Sequence, residues 1–256
     1  MSLGALFSLE GHVAVVTGAG GGIGGSAAVA LAEAGADLAL VGRNVKKLKQ
    51  TAEAVERAGR RALVLEADVT DEAAVEAARD AVIAEFGRAD ILFNNAGITS
   101  PKLLVDMQLE EWRRIADVNL TGAFLCSRAF AKPMVAQRRG RIVNMGSILS
   151  GRGMATRTAY CATKAGLANF GAALAFELGP HGITVNTIGA TVIVTDLNRE
   201  LIRTQPRLYQ KVLDRSAIGR LGEVEDVVGV LVFLASPAAG FVTGQTIYVD
   251  GGYTAG

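Results

Sequence analysis

Short β-branched runs that stop at glycine or polar residues, each followed by a longer helix-forming stretch, recur along the whole chain. The runs are "HVAVVT" (His12 to Thr17), "DLALVG" (Asp37 to Gly42), "RALVLEADV", "ADILFNNAG", "GRIVNMGS" (Gly140 to Ser147), "GITVNTIG" (Gly182 to Gly189) and "QTIYVDGG". They are continuously apolar, not alternating, as strands covered on both faces must be. Between them, "GSAAVALAEAG" and "KKLKQTAEAVERAG" have helical composition and end on Gly35 and Gly59, the residue type that caps a helix C-terminus. Strands alternating with helices of this length imply right-handed βαβ units and a parallel sheet between two helical layers. No linker, low-complexity segment or charge block interrupts the series. Residues 1–256 are therefore expected to form one doubly wound α/β domain with seven parallel strands.

Composition narrows the function. Half of the 256 residues are hydrophobic and 20% are charged, which supplies a large core. Twenty-six basic against 25 acidic residues leave a formal charge of +1, so no field draws the chain to nucleic acid or an anionic membrane. No apolar run reaches the ~18 residues of a membrane span. The N-terminal "MSLGALFSLEGH" lacks the pattern of a signal peptide. Cys126 and Cys161 are the only cysteines and form no C-x-x-C, which argues against a disulfide framework or a zinc site. The expected compartment is the cytoplasm, with no metal.

"VVTGAGGGIGGS" joins the first strand to the first helix. Glycine there allows positive φ and lets a pyrophosphate approach backbone N–H groups at a helix N-terminus. The context, strand before and helix after in the first βα turn, is that of a dinucleotide site. Two registers fit, Gly20, Gly22 and Gly25 as G-x-G-x-x-G, or Thr17, Gly18, Gly22 and Gly24 as T-G-x-x-x-G-x-G. At the end of the second strand, "LVGRN" has no carboxylate for the ribose hydroxyls, and Arg43 follows. An arginine there suits the 2′-phosphate of NADP, so NADP is favoured over NAD. A solvated arginine at a strand end is the competing reading.

"TAYCATKAGLANFGAALAFEL" (Thr158 to Leu178) is a small-residue helix that nevertheless carries Tyr160 and Lys164 four residues apart, on one face. A free phenol has a pKa of roughly 10. A nearby ammonium favours phenolate, which tunes a tyrosine toward general acid/base work. Ser147 ends the strand "IVNMGS", and "NNAG" (Asn94 to Gly97) ends another. Both lie where open α/β sheets bind ligands, beyond the carboxyl ends of strands.

With these motifs in place the chain resembles the classical short-chain dehydrogenase/reductase family, a Rossmann fold. The match runs from "TGAGGGIG" through "ADV" (Ala67 to Val69), "NNAG", "VNL" around Asn119, "GS" at Ser147 and "YCATK" to "GQTIYVDGG". The resemblance implies that Tyr160 is the general acid/base, that Ser147 polarises the same substrate oxygen, and that Lys164 lowers the tyrosine pKa and holds the nicotinamide ribose. Asn119 would keep a water in a proton relay behind the lysine. The glycine register becomes Gly18, Gly22 and Gly24, with Ile23 between them. Asp68 and Val69 would flank the adenine, Asn95, Ala96 and Gly97 would lie along the cofactor, and Thr195 would reach the nicotinamide amide. The resemblance also implies a homotetramer, built across the helices carrying Asn119 to Met134 and Tyr160 to Leu178 and across the C-terminal strand.

"LFSLEGHVAVVTGAG" and "FELGPHGITVN" are similar to the gluconate 5-dehydrogenase and 2-deoxygluconate 3-dehydrogenase branch, acting on sugar acids or polyols. "GRLGEVEDV" and "VTGQTIYVDGG" are as similar to 3-oxoacyl-acyl-carrier-protein reductases, the alternative. A non-catalytic nucleotide-binding regulator is disfavoured by intact Ser147, Tyr160 and Lys164. The epimerase branch is disfavoured by length and glycine spacing. One departure stands out: the family's usual Pro-Gly after the sixth strand is replaced by Ala190 and Thr191. Without a proline to fix φ, the loop toward Thr195 is expected to be looser or differently shaped. A substrate lid is expected at about 191–216, where Arg199, Arg203, Arg207 and Arg215 are candidate anion ligands. Arg152 and Arg157, just after Ser147, are candidates of the same standing. Trp112 and Cys161 are read as packing residues, and His12 and His181 as neither catalytic nor metal-binding.

Overall fold

Val13 to Thr17 are five consecutive buried residues, and a segment that buries every side chain needs apolar partners on both faces. They form β1 (Val13–Thr17) at the centre of the computed structural model, which describes residues 2–196 and 198–256. A short helix, α1 (Leu3–Phe7), precedes it. The chain continues through α2 (Gly22–Glu33), β2 (Asp37–Gly42), α3 (Val45–Arg57), β3 (Ala62–Glu66), α4 (Glu72–Phe86) and β4 (Ile91–Asn94). The second half follows as α5 (Leu109–Ala116), α6 (Gly122–Gln137), β5 (Gly140–Met145), α7 (Thr158–Leu178) and β6 (Ile183–Ala190). It ends with α8 (Arg199–Thr204), α9 (Arg207–Arg215), α10 (Val224–Ala235) and β7 (Thr246–Val249).

All seven strands pair in parallel in the order β3-β2-β1-β4-β5-β6-β7. Successive residues of β1 feed opposite layers. Ala14 and Val16 join a core with Ala28, Leu31, Val227 and Leu231 of α2 and α10, and Val13 and Val15 join one with Val82, Phe130 and Met134 of α4 and α6. Strand order reverses between β1 and β4, and beyond the carboxyl ends of the strands at such a switch point the loops part to leave a crevice.

Local chemistry sets the helix ends. Asn44 Oδ1 accepts from the Lys47 N–H at 3.0 Å to start α3, and Asp71 Oδ1 accepts from the Ala74 N–H at 3.1 Å to start α4. Gly87 ends α4 in the left-handed conformation, φ 73°. The helix expected from Asn119 is instead preceded by a π-turn, Asp117–Thr121, and α6 begins only at Gly122. A single π-turn adds a residue to the helical repeat and re-aims the side chain within it. Here that side chain is Asn119.

The small residues of α7 do what their size suggests. A Cβ on Gly171 would lie 3.0 Å from Asn144 Nδ2 and 3.2 Å from Thr187 Oγ1, so the helix rests directly on β5 and β6. Its buried face, Ala159, Thr163, Lys164, Leu167, Gly171 and Ala175, includes one ionisable group. Trp112 on α5 is 37% exposed, so it is a surface side chain more than a core one. Cys161 is half-buried against a small cluster of Ile148, Leu149, Val212 and Tyr253.

Candidate active site

The glycine loop closes on the end of β4. Thr17 Oγ1 accepts from the N–H groups of Asn95 (2.9 Å) and Ala96 (3.1 Å), and Asn95 Nδ2 donates to Thr17 O at 3.0 Å. A Cβ on Gly18, φ 66°, would meet Asn95 Nδ2 at 3.0 Å and Ala96 Cα at 3.1 Å. One on Gly24 would lie 2.3 Å from Gly18 O, which no rearrangement short of opening the loop would relieve. A Cβ on Gly20 or Gly25 would meet nothing closer than 3.2 Å. The register Gly18, Gly22 and Gly24 is thus imposed by packing, and Gly22, φ 55°, opens α2. Asn95 is the brace that holds this loop against its neighbour.

A cleft of about 360 Å³ runs from this loop along the carboxyl ends of the strands. Gly18, Gly22, Ile23 and Gly24 line one end, Asn95, Ala96 and Gly97 the floor, and Ser147, Tyr160, Lys164, Thr191 and Thr195 the other end. Arg43, Asp68, Val69 and Asn119 lie outside that lining. Arg43, 64% exposed, sits 3.5 Å from Asp68 after β2 and β3. The backbone N–H of Thr70, then its hydroxyl and the Arg43 guanidinium, hold the Asp68 carboxyl below its ordinary range against the opposing effect of burial. Val69 is buried against Gly122.

Asn119 is buried behind the floor. Its Oδ1 accepts from the Ile98 N–H at 2.8 Å, and its Nδ2 donates to Ile98 O at 2.9 Å and to Thr163 Oγ1 at 3.2 Å. It holds the segment after "NNAG" in place through the π-turn and makes no direct bond to Lys164. Lys164, 3% exposed, donates to Met145 O at 2.6 Å. Burial alone pulls its pKa down to about 8. Its ammonium stands 5.5 Å from the centre of the Tyr160 ring.

Tyr160 differs from the sequence expectation in direction. Burial raises its pKa, and the effect outweighs the Ser147 hydrogen bond and the Arg157 charge that lower it. Lys164 is not among the groups lowering it in the folded chain. Ser147 is 7% exposed at the end of β5, with its hydroxyl accepting from the Leu149 N–H at 3.1 Å and facing the phenol.

The segment after β6 is tied down. Thr191 N–H reaches Val249 O at 3.4 Å, Val194 N–H reaches Gly222 O at 2.8 Å, and Asn198 Oδ1 accepts from the Thr195 N–H at 2.7 Å. β6 runs on through Ala190 and pairs it with Val249. Positive φ among non-glycine residues occurs at Arg138 and Thr156, so Thr191 stands where the family's glycine does with no left-handed strain. Its buried Oγ1 has no hydrogen-bond partner among the described residues, and sequence reasoning passed over that hydroxyl. Leu197 lies outside the described residues.

Three of the four lid arginines are engaged elsewhere. Arg203 forms a two-pronged pair with Glu200, Arg199 lies 4.0 Å from Asp196, and Arg215 donates to Gly256 O and stacks over Tyr253. None of the four lines the cleft. His12 sits at the opposite end of the sheet beside Arg139.

Comparison with known proteins agrees with this geometry. A family model described as enoyl-(acyl carrier protein) reductase matches residues 18–254. The chain is 39% identical over 250 residues to the 2-dehydro-3-deoxy-D-gluconate 5-dehydrogenase of Escherichia coli, covering 97% of this chain and 98% of that one. It is 39% identical over 245 residues to a 3-oxoacyl-(acyl-carrier-protein) reductase of Vibrio cholerae, covering 96% and 98%. The crystal structure of a gluconate 5-dehydrogenase from Burkholderia cenocepacia, in complex with NADP and tartrate, superposes with a TM-score of 0.94 at 35% identity, over 100% of both chains. The chain belongs to the short-chain dehydrogenase/reductase family.

Proposed function

We propose that this protein is a cytoplasmic NADP(H)-dependent oxidoreductase interconverting a secondary alcohol and a ketone on a sugar acid or polyol. The observation that carries the reading is one cleft with a glycine loop at one end and Ser147, Tyr160 and Lys164 together at the other.

The residues fit the cofactor. Gly18 and Gly24 exclude any side chain from the loop where a pyrophosphate would meet the N-terminus of α2, and Gly21, φ 134°, has open space on its Cβ side. Gly18, Gly22, Ile23 and Gly24 would hold the pyrophosphate, Arg43 a 2′-phosphate, Asp68 and Val69 the adenine, and Asn95, Ala96 and Gly97 the middle of the molecule. Tyr160 and Lys164 would hold the nicotinamide ribose, and Thr195 the amide. When bound, the cofactor supplies or accepts the hydride.

In the reducing direction Ser147 donates a hydrogen bond to the carbonyl oxygen, and Tyr160 Oη passes its proton to that oxygen as it becomes a hydroxyl. A phenol kept protonated by burial is suited to that donation. Lys164 then faces a phenolate, and its charge stabilises it. Asn119 acts as a positioning residue, holding Ile98 and Thr163 and leaving the route behind Lys164 to water.

The assay follows NADPH and NADH separately with 5-ketogluconate and with a 3-oxoacyl thioester. Faster turnover of 5-ketogluconate with NADPH is expected. Turnover of the thioester alone would make the carrier-protein reductase the correct reading, and absence of turnover with either would favour a nucleotide-binding regulator. Equal use of NADH would reduce Arg43 to a solvated side chain.

We also infer a homotetramer. Phe124 (41% exposed) and Phe176 (86%) on α6 and α7, and Phe241 and Tyr248 near β7, give apolar surface on two faces. Light scattering should return four times the 26.6 kDa chain mass. A monomer would contradict it. Among the described residues no helix is long and apolar enough to cross a membrane. The stretch 191–216 is read as a substrate lid over the Tyr160 end of the cleft.

A further inference from the structure

Arg157 stands three residues before Tyr160, at the N-cap position of α7. The residue before it, Thr156, has φ 65°, the left-handed region that a β-branched side chain rarely enters. What holds that turn is visible: Thr156 O accepts from the Lys102 N–H at 2.8 Å, and the Arg157 guanidinium donates to Thr99 Oγ1 at 2.9 Å. Thr99 lines the same cleft as Ser147 and Tyr160, and Arg157 stands behind it, just outside that lining. The strained turn and the hydroxyl together hold the guanidinium beside Tyr160, whose titration already responds to its charge.

The guanidinium is half-buried and unneutralised. Among the described residues its side-chain partner is a neutral hydroxyl, while Glu111 at the same corner is taken by Lys102 at 2.7 Å and by Ser100. Three other candidate arginines have found oxygens: Arg152 that of Thr254, Arg203 those of Glu200, Arg215 that of Gly256. A guanidinium held by one nitrogen keeps the rest of its planar fork of donors free, and that fork matches a carboxylate.

We propose that Arg157 is the carboxylate anchor of this active site, a specificity-determining residue that selects an anionic hydroxy acid or keto acid over its neutral counterpart. The inference rests on the sugar-acid reading above and assigns the residue that would enforce it. The four lid arginines are not needed for it.

The test is calorimetric binding of D-gluconate and of D-glucitol, which differ at the carboxylate, to enzyme saturated with NADP+. The wild type should bind gluconate at least about tenfold more tightly than glucitol. Arg157→Gln should weaken gluconate by about 10- to 150-fold, the range of a lost charged hydrogen bond, and remove the preference. Arg157→Lys should restore part of it, and Arg152→Gln should keep it whole. If Arg157→Gln does not fold by circular dichroism, Thr99→Val, which releases the guanidinium, should lower the preference instead. Equal or undetectable binding of the two ligands by the wild type, or a preference that survives Arg157→Gln, overturns the assignment. Turnover separates the two readings. A carboxylate preference that depends on Arg157 without reduction of 5-ketogluconate keeps the anchor and removes the sugar-acid oxidoreductase. Reduction of 5-ketogluconate with a KM unmoved by Arg157→Gln does the reverse.

Discussion

Asp90 and Lys164 are buried to a similar degree, 1% and 3% exposed, at opposite ends of the same parallel strands. At the amino end, Asp90 accepts from the Val13 N–H at 2.9 Å and from both prongs of Arg88 at 2.7 and 2.6 Å, and that bond raises the Arg88 pKa. At the carboxyl end, Lys164 has one neutral carbonyl at 2.6 Å and a pKa drawn down to about 8. A buried charge with a full set of partners ties chain segments together, whereas one without them costs stability and is kept where chemistry uses it. The contrast identifies one end of the sheet as structural and the other as reactive.

The largest expected effect comes from removing the under-partnered charge. Lys164→Met should lower kcat/KM by about 10²- to 10⁴-fold, the usual contribution of an acid/base group, measured by NADPH oxidation. The same variant should melt higher than the wild type. From pH 8 to about 10.5 the unfolded chain keeps a proton on Lys164 that the folded one has released. The penalty for burying Lys164 is thus complete below pH 8, about 3 kcal/mol from the separation of the two pKa values, and fades as pH rises to 10.5. Wild-type stability should climb through that window relative to Lys164→Met. Parallel curves would mean that Lys164 is better satisfied than its one bond suggests.

Asp90→Ala should act in the opposite sense. Leaving the buried Val13 N–H without its acceptor should cost about 1–3 kcal/mol in denaturant unfolding, the partly exposed Arg88 turning to solvent, with kcat/KM of the surviving folded enzyme unchanged. A catalytic loss at constant stability would break the division between the two ends. The smallest effect concerns Arg157, whose charge lowers the Tyr160 pKa. In the oxidising direction the reactive form is phenolate, so rate rises with pH through that pKa. Arg157→Gln should move the rise to more alkaline pH, by less than about one unit for a single neighbouring charge. A shift toward acid would place the guanidinium elsewhere.

Much of this was legible in the residues. β2 spans Asp37–Gly42 and α7 spans Thr158–Leu178, as their composition predicted, because buried parallel strands and a small-residue helix leave little choice of pattern. The glycine register was not separable by spacing alone; the family resemblance selected Gly18, Gly22 and Gly24, and the 2.3 Å at which a Cβ on Gly24 would meet Gly18 O supplies a physical reason for glycine there. Three features had no local signal. The π-turn at Asn119 arises from packing against Ile98 and Thr163, far apart in sequence. The direction of the Tyr160 shift depends on how far the folded chain buries the phenol. The setting of Arg157 requires Thr99 and Lys102 to meet a strained Thr156, a contact between two loops that no spacing rule encodes. Arg199, Arg203 and Arg215 of α8 and α9 showed the converse, prominent in sequence and engaged with Asp196, Glu200 and Gly256 in space.

The central claim is that Tyr160 is the proton donor in a cofactor-dependent carbonyl reduction. It is tested most directly by pairing NADPH fluorescence titration with 5-ketogluconate reduction in the wild type and in Tyr160→Phe. The account predicts that the variant folds, binds NADPH within a few fold of the wild type, and reduces the ketone at least about 100-fold more slowly. Reduction at wild-type rate by a variant that binds NADPH normally would contradict it.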